Sequence, residues 1–318
     1  MVDKLVQGKI LLGNASQILK QVRHWPAILS FCREEGILFP ETRFAGDPPP
    51  PGGCWLIKPN RSGGGHGISF WHGNPPGRNR ILQEYIEGIP ASAAFVADGR
   101  DCVLLGVTEQ LIEERFKWAG NILPLKLPSK QTDSFLHTVE YIASRLTRAF
   151  HLRGVNGFDF QLIGEGRRLK PCLIEVNPRY TASMELMEQA YGLNIFDLHV
   201  RSFWGELPSF SLRERIHKTG FFGKRIVYAD STAMMPETSG WRAGGRKDVP
   251  FPGERIKPGH PVCTVFARAG SRQECQERLR EEDRSVMKEI SGLKEDRKSA
   301  GRQIKNQRGG IYARNGTY

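Results

Sequence analysis

The sequence predicts an α+β fold, in which β-hairpins and helices are interleaved along the chain. Two observations support this prediction. Apolar runs flank Asp98-Gly99 on both sides, which is typical of a hairpin because glycine tolerates a positive φ. Between residues 135 and 150 the apolar side chains recur at helical spacing, which predicts an amphipathic helix. Since strands and helices do not alternate strictly, we do not expect a repeated βα architecture.

The remaining elements follow in chain order. Residues 54–58 form a short apolar run that ends at a proline, and residues 68–71 can pair back with it as a second strand. We predict Asp133 as the N-cap of the long helix and Gly154 as its stop. The other predicted elements are hairpin strands over 92–96 with 102–107 and over 157–163 with 172–176, helices over 183–191 and 195–204, and strands over 226–229 and 262–267.

Length and composition restrict the class of protein. The chain has 318 residues, of which 39% are apolar, enough for a sizeable core and too many for a wholly disordered chain. At about 150 residues per domain this length suggests roughly two domains. No run reaches the ~20 apolar residues of a membrane helix, and no secretory signal is visible. The six cysteines contain no CxxC pair, which argues against a zinc ribbon or disulfide framework and predicts a cytoplasmic location.

The positive charge divides between a tail and the body. The formal net charge is +12, of which residues 291–318 contribute +5 and residues 1–290 the other +7. Because this tail has almost no large apolar residues, we expect a disordered, solvated segment, with an RNA- or membrane-binding arm as the alternative. Two turn-rich stretches, 46–53 with four consecutive prolines and 235–259, are predicted domain boundaries.

A glycine-rich segment follows the first predicted strand. Its residues run from Lys58 through Arg61, Ser62, Gly63, Gly64, Gly65 and His66 to Gly67. Successive glycines let backbone N–H groups approach a phosphate, and Lys58 supplies a positive charge. The segment lacks the Gly-Lys-Ser/Thr ending of a P-loop and the GxGxxG spacing of a dinucleotide site. The alternative is a flexible glycine turn.

Two later strands carry acidic and amide side chains. Asp159 lies on the strand face opposite to Phe158 and Phe160, and Glu175 and Asn177 share a face because they are two residues apart. A hairpin could bring Asp159 opposite that pair, which would form an oxygen-rich site suited to Mg²⁺. Arg179 could then stabilise charge that develops beside the metal. The alternative is an ordinary polar strand face.

The stretch 82–88 is a third candidate. Gln83, Glu84, Tyr85 and Ile86 lie where a strand leads into a turn, so their backbone groups could bind an adenine edge. An amphipathic strand without a ligand is the alternative.

Taken in order, these three segments resemble the ATP-grasp superfamily from about residue 55 to 205. The most specific element is Glu175-x-Asn177-Pro178-Arg179. The stretches 180–186, 248–253 and 259–264 are similar to the predicted ATP-dependent carboligases related to biotin carboxylase. The resemblance implies an ATP-grasp fold, with two α+β lobes clasping ATP and the glycine loop closing over the phosphates.

The resemblance also implies roles for individual residues. Lys58 would hold phosphate oxygens, Gln83 would lie near the adenine amine, and Arg179 would stabilise the transferred phosphoryl group. The other implied ligands are Ser62, Gly63, Gly64, Gly65 and His66 for the phosphates, Glu84, Tyr85 and Ile86 for the adenine, and Asp159, Glu175 and Asn177 for Mg²⁺ or Mn²⁺.

The resemblance further implies a domain order. Residues 1–50 would be the remnant of an N-terminal α/β lobe, 51–234 the ATP-grasp domain, 235–290 a small C-terminal α/β unit and 291–318 the tail. The lysine that the family usually supplies before the grasp domain has no clear counterpart, and Lys20 and Arg23 are the candidate substitutes.

The implied function is an Mg-ATP-dependent ligase. Such an enzyme activates a small carboxylate as an acyl-phosphate, which an amine or similar nucleophile then attacks. A nucleotide-binding regulatory or degenerate protein without turnover is the second hypothesis, and a nucleic-acid-binding protein that uses the tail is the third. We expect neither a membrane nor a nucleic-acid partner. The sequence leaves the carboxylate, the nucleophile and the oligomeric state open.

Overall fold

The computed structural model describes residues 6–48, 50, 52–60, 63–74, 76–113, 116–164 and 169–309, with side chains as far as Ser291. The chain divides into two compact units. The first contains Met1–Gly223 and Ala269–Arg272, and the second contains Lys224–Arg268 and Gln273–Tyr318. The division into four segments that the sequence predicts stays a prediction. In the part of the chain that is described, no helix combines the length and the apolar character that crossing a membrane requires.

The first unit begins with two short helices and a small antiparallel sheet. The predicted pairing of the first two apolar strands is confirmed, with Leu56 opposite Phe70. Residues 42–43, which precede the proline run, pair with residues 82–83, which follow it. Both sides of that run therefore contribute to one sheet. The elements are α1 (Ser16–Gln21), α2 (Trp25–Glu34), β1 (Thr42–Arg43), β2 (Trp55–Pro59), β3 (Ser69–Phe70) and β4 (Arg80–Glu84), in the sheet order β1-β4-β2-β3.

Five long strands of the first unit form its main sheet, in the order β7-β6-β5-β8-β9. All neighbouring pairs among them are antiparallel, and both predicted hairpins are present. Ala97 pairs with Cys102 beside the Asp98-Gly99 turn, as its sequence indicates. The strands are β5 (Ile89–Asp98), β6 (Cys102–Glu113), β7 (Lys117–Leu123), β8 (Arg153–Ile163) and β9 (Lys170–Asn177).

The long helix α3 (Ser129–Phe150) covers one face of this sheet. Its apolar side chains are buried as predicted, and the ring of Phe135 lies 6.0 Å from that of Phe160. The predicted ends are wrong. The helix begins at Ser129 after Pro128, and it ends at a left-handed His151. Because the first turn is polar, the apolar periodicity gave no sign of it.

Three short helices complete the first unit. The predicted stop of α4 (Met184–Tyr191) is confirmed, since Gly192 has the left-handed conformation that glycine tolerates. Asn194 caps α5 (Ile195–Ser202) by accepting a hydrogen bond from the Asp197 N–H. The third of these helices is α6 (Leu212–Ile216).

The second unit combines strands with one long helix. Strand β10 (Phe221–Tyr228) starts at the end of the first unit and lies next to β13 (Pro261–Ala269). The strands β11 (Ala233–Met234) and β12 (Arg255–Ile256) pair with each other. Helix α7 (Arg272–Gly309) joins this core, with Cys275, Leu279, Val286 and Ile290 buried. The boundary predicted at residue 290 falls within α7, and the disordered state of 291–318 stays a prediction.

Candidate functional site

The first unit contains a cavity of about 1270 Å³ that is lined by residues from both of its sheets. This volume exceeds that of a pocket for one drug-sized ligand, so it has room for a nucleotide and a second molecule. Most of the predicted site residues meet here. The cavity wall includes Lys58, Gly63, Gly64, Gly65, Gln83, Glu84, Tyr85, Ile86, Asp159, Glu175, Asn177 and Arg179.

The structure does not bring every candidate to the cavity. His66 is exposed and is not among the residues that line it. Ser62 lies outside the described residues. Of the two candidate substitutes for the missing lysine, Arg23 lines the cavity and Lys20 does not.

The two candidate metal-binding carboxylates face each other across a strand pair. Asp159 on β8 lies opposite Glu175 on β9 in the antiparallel register, so the hairpin predicted from the sequence is confirmed. The Asp159 carboxylate accepts hydrogen bonds from Gln110 Nε2 at 2.9 Å and Asn177 Nδ2 at 3.1 Å. Burial, and then repulsion from Glu175, nevertheless raise the pKa of Asp159 to about 7.

The Glu175 carboxylate is poorly compensated. It accepts no hydrogen bond from any described residue, although the positive charges of Lys58, Arg179 and Arg23 lie near enough to favour its ionised form. Burial outweighs these charges and raises the pKa of Glu175. Water can still reach its surface from the cavity, because this side chain forms part of the cavity wall.

A hard divalent cation fits this donor set. Two opposed carboxylates and an amide supply oxygen ligands, and a cation between the carboxylates would remove their repulsion. Within the described ranges no group of three or more His, Cys, Asp and Glu residues is arranged to hold a metal. A cation at Asp159 and Glu175 would therefore need further oxygens from a ligand, which is how Mg²⁺ binds with phosphates.

Arg179 lies on the loop that follows β9. Its Nη2 donates to Asn177 Oδ1 at 3.3 Å and its Nη1 to the Tyr180 carbonyl at 3.0 Å, which orients the guanidinium along the cavity wall. The N-terminal segment supports this loop, because Asn14 Nδ2 donates to the Pro178 carbonyl at 3.2 Å. Asn14 is buried and also donates to Asn156 Oδ1 at 2.8 Å.

Lys58 places a buried positive charge at the end of β2. The residue is only 9% exposed. Its ammonium donates to Gln83 Oε1 at 2.7 Å and lies 5.7 Å from the centre of the Trp25 ring. Burial lowers the pKa of Lys58, while Glu175 and Asp159 partly oppose that shift. A buried ammonium with one neutral partner can bind an anion that enters the cavity.

The backbone after β4 offers a selective set of hydrogen-bonding groups. The N–H groups of Glu84 and Tyr85 are engaged by the carbonyls of Glu41 and Cys54, each at 2.8 Å. The N–H of Ile86 has no partner among the described residues. Ile86 therefore offers an N–H that can bind a ligand in the cavity.

The glycine loop lies against the β6–β7 turn. The Trp118 N–H donates to the Gly64 carbonyl at 3.3 Å, and a Cβ built on Gly65 would lie 1.8 Å from the Phe116 carbonyl oxygen. Gly65 also has a φ of +82°, which side chains disfavour. Only glycine can bring the loop this close to the turn.

Several polar residues that line the cavity were missed by the sequence analysis. Gln110 on β6 binds Asp159, and Ser92 and Asn121 also line the wall. A signal was present, since Thr108 and Gln110 alternate with other residues inside an apolar strand and so share one face. Trp25 gave no such signal, because it approaches Lys58 from a different element.

Comparisons with known proteins agree with this geometry. Residues 28–183 match the family model of the ATP-grasp domain. A curated relative, the carbamoyl phosphate synthase large chain of Thermoanaerobacter pseudethanolicus, is 25% identical over 147 residues. That match covers 46% of this chain and 13% of the relative, so the chain spans about an eighth of the relative's length.

Solved structures share the fold at low sequence identity. The biotin carboxylase domain of Hydrogenobacter thermophilus 2-oxoglutarate carboxylase, in complex with MgADP and bicarbonate, has a TM-score of 0.66 at 16% identity and covers 86% of this chain and 68% of its own. Carboxyaminoimidazole ribonucleotide synthase of Aspergillus clavatus, complexed with ATP, has a TM-score of 0.67 at 15% identity, with coverages of 90% and 78%. The L-amino acid ligase of Bacillus licheniformis has a TM-score of 0.63 at 16% identity, with coverages of 83% and 71%.

These likenesses confirm the predicted ATP-grasp fold. The family match begins in α2 and ends just before α4, so it includes both sheets that line the cavity. Residues 28–183, about half of the chain, thus form an ATP-grasp domain.

Proposed function

We propose that this chain is an Mg-ATP-dependent ligase that activates a carboxylate as an acyl-phosphate for attack by an amine or a similar nucleophile. One observation carries the proposal. The opposed carboxylates of Asp159 and Glu175 share a cavity with Lys58 and Arg179, so carboxylates for a cation and positive charges for phosphate line the same space.

ATP fits the cavity from the small sheet to the main sheet. The unpaired Ile86 N–H is suited to an acceptor nitrogen of adenine, and the Tyr85 ring lies within an aromatic group with Phe70 and Phe116. Lys58 and the N–H groups of the glycine loop are suited to the phosphate oxygens. We assign the cofactors ATP and Mg²⁺, with Mn²⁺ as a substitute, in line with the nucleotides named for the related structures.

Asp159 and Glu175 would hold the cation, with Asn177 assisting. The bound cation would neutralise charge on the phosphates. Asn177 would have to release Arg179 from its Oδ1 in order to offer that oxygen as a ligand. Gln110 and Asn177 keep the Asp159 carboxylate oriented, because each donates to a different one of its oxygens.

The protein would promote the reaction by positioning the reactants and by stabilising the charge that develops. A substrate carboxylate oxygen attacks the γ-phosphorus, the bond to the β-phosphate oxygen breaks, and ADP leaves. Arg179 is placed to stabilise the transferred phosphoryl group and the acyl-phosphate. The amine then attacks the acyl carbon, phosphate leaves, and the amine loses a proton.

Hydroxylamine tests this proposal directly, because it converts acyl-phosphates into hydroxamates. Purified protein with Mg-ATP, hydroxylamine and a panel of carboxylates should form equal amounts of ADP and hydroxamate with at least one acid. The Arg179→Gln variant should lose about 2.7–4 kcal/mol of transition-state stabilisation, as enzymes do when one oxyanion donor is removed. Mg-ATP binding without ADP or hydroxamate for any acid would contradict ligase activity and favour a nucleotide-binding protein without turnover.

A further inference from the structure

A row of polar side chains crosses the main sheet on the side of the cavity. Glu175 on β9 lies opposite Asp159 on β8, and Asp159 lies opposite Ser92 on β5. Ser92 in turn lies opposite Thr108 on β6. Gln110 follows two residues after Thr108 on the same strand and lies opposite Asn121 on β7. Because strands are about 4.8 Å apart, this row extends roughly 14 Å from Asp159 to Asn121.

Three members of the row are joined to one another by hydrogen bonds. We call Ser92, Thr108 and Asn121 the polar shelf. The hydroxyls of Ser92 and Thr108 are 2.8 Å apart, and Asn121 Nδ2 donates to Thr108 Oγ1 at 2.9 Å. The three residues of the shelf are buried, with exposures between 0% and 6%.

The shelf has one hydrogen-bond donor to spare. Ser92 and Thr108 each carry one hydroxyl hydrogen, but they make a single bond with each other, and Asn121 only donates to them. One hydroxyl hydrogen is thus without an acceptor among the described residues. Since Thr108 is fully buried and Ser92 lines the cavity, the arrangement in which Thr108 donates to Ser92 directs the Ser92 hydrogen into the cavity.

The shelf also has an acceptor to spare. Asn121 Oδ1 accepts from Trp118 Nε1 at 3.2 Å, and an amide oxygen has a second lone pair. A ligand group that both accepts and donates a hydrogen bond can therefore satisfy the shelf, and a primary amide has both capacities.

Apart from the Asp159 carboxylate, which lies opposite Ser92 and already accepts hydrogen bonds from Gln110 and Asn177, the surroundings of the shelf are uncharged. Its neighbours Gln110 and Trp118 are neutral, and Glu113, near the β6–β7 turn, is the one charged residue of β5, β6 and β7 that lines the described cavity wall. Glu113 is three residues from Gln110, or about 10 Å along the strand. A second carboxylate at the shelf would lose water without gaining a counter-ion, and an ammonium would find only the Asp159 carboxylate, whose two oxygens are already engaged.

We propose that the polar shelf is a specificity subsite for the carboxylate substrate, and that it binds a neutral amide at the end of the molecule remote from the carboxylate that is activated. This inference rests on the proposed function for the activated end, which would lie at Asp159, Glu175 and Arg179. Ser92 donates to the carbonyl oxygen of the amide, and its NH₂ group donates to Asn121 Oδ1. Thr108 positions Ser92.

Four acids of similar length test the substrate class. Glutaramate carries the amide, glutarate a second carboxylate, 5-aminopentanoate an ammonium and hexanoate a methyl group. With Mg-ATP and hydroxylamine, kcat/KM for hydroxamate formation should be at least about tenfold higher for glutaramate than for each of the other acids. The other acids leave hydrogen-bonding groups of the shelf without a partner or bury a charge there. Equal values for glutaramate and either glutarate or hexanoate would overturn the assignment.

Two near-isosteric variants test the residues. Ser92→Ala and Thr108→Val should lower the ratio of glutaramate to hexanoate about tenfold by reducing the value for glutaramate. The matched controls are Ser202→Ala and Thr132→Val, which remove buried hydroxyls that bond to the carbonyls of His199 and Pro128, away from the cavity. Both controls should keep the wild-type ratio. A Ser92→Ala variant that melts like wild type and keeps that ratio would contradict the proposal.

Failure of the ligase proposal can be told apart from failure of the subsite. If none of the four acids gives ADP or hydroxamate, the same acids are titrated calorimetrically into protein saturated with Mg²⁺ and a non-hydrolysable ATP analogue. Tighter binding of glutaramate, lost in Ser92→Ala, would support the subsite without the ligase reaction. Equal or absent binding of all four would overturn the subsite.

Discussion

The ammonium of Lys58 and the side-chain oxygen of Gln83 are joined by a hydrogen bond of 2.7 Å between neighbouring strands of the small sheet. Gln83 Nε2 in turn donates to Thr42 Oγ1 at 3.2 Å. The chain thus fixes the lysine through a neutral side chain, which leaves its positive charge uncompensated at that contact. An incoming phosphate is the natural partner for such a charge.

We therefore expect Lys58→Met to weaken Mg-ATP binding. Hydrogen bonds to charged groups contribute about 1.5–3 kcal/mol, so the dissociation constant should rise by about 10- to 150-fold in a calorimetric titration. Because burial disfavours the charged form of Lys58, the variant should be no less stable than wild type. Lys130→Met, at an exposed position on α3, serves as the control and should bind normally. Equal affinity of Lys58→Met and wild type would refute the phosphate role of Lys58.

Because Asp159 and Glu175 face each other, we expect Glu175→Gln to change thermal stability in opposite directions without and with Mg-ATP. Glu175→Gln removes like-charge repulsion, so the ligand-free variant should melt at the same temperature as wild type or higher. Wild type at a ligand concentration of 100 times Kd should gain about 2.7 kcal/mol from Mg-ATP. A tenfold weaker affinity would reduce the gain of the variant by about 1.4 kcal/mol.

Calorimetric melting with and without Mg-ATP measures both effects of Glu175→Gln. Glu214→Gln, on the exposed side of α6, removes a carboxylate away from the cavity and should respond to Mg-ATP as wild type does. An undiminished response of Glu175→Gln would exclude this carboxylate as a ligand of the cation.

Gly65→Ala should reduce catalysis while it changes the stability of the fold only slightly. The new Cβ would overlap the Phe116 carbonyl, so the loop would have to withdraw from the β6–β7 turn. Since the loop is largely exposed, we expect a change of less than about 1 kcal/mol in the free energy of unfolding, but at least a tenfold loss in kcat/KM for ATP. Gly77→Ala is the control, because its Cβ would meet nothing within 4 Å. The assignment fails if both variants turn over ATP equally well.

An ion pair in the second unit predicts a dependence of stability on pH. Arg246 lies 4.6 Å from the Trp241 ring and donates two hydrogen bonds to Glu289, at 2.9 and 2.6 Å. These bonds hold the pKa of Glu289 below its ordinary value. A lowered carboxyl pKa stabilises the fold above the unfolded pKa, and this stabilisation disappears as the pH falls through the folded pKa.

Glu289→Gln should thus lower the unfolding free energy at pH 7 by no more than about 1 kcal/mol, because the pair is partly exposed to solvent. Urea unfolding between pH 7 and pH 3 should show the difference from wild type shrinking below about pH 4.5, the ordinary range of a glutamate pKa. Glu281→Gln, at an exposed position on the same helix, should show no such trend. A difference that stays constant down to pH 3 would contradict an electrostatic origin.

The sequence predicted those parts of the molecule that depend on local pattern. The Asp98-Gly99 hairpin and the burial of α3 follow from turn chemistry and periodicity, and both are confirmed. The placement of Asp159 opposite Glu175 was predictable for the same reason, because two strands joined by a short polar turn pair with each other.

Contacts between distant elements could not be read from the pattern. Trp25 reaches Lys58 from α2, and Asn14 reaches Pro178 across more than 160 residues of chain. A single polar residue in a loop carries no sign of its partner, because the partner is set by the tertiary fold. His66 shows the converse, since its position in a glycine loop suggested a ligand while its side chain lies outside the cavity wall.

The hydrogen bond from Asn14 to the Pro178 carbonyl shows that residues ahead of the matched domain also support the cavity. The family match begins at residue 28, yet Asn14 supports the loop that carries Arg179, and Arg23 and Trp25 stand in the cavity wall. A fragment cut at the family boundary would keep both sheets and lose these three side chains. The part of the chain that builds the cavity is thus longer than the domain that sequence comparison delimits, and its Asn14 contact lies fourteen residues ahead of that domain.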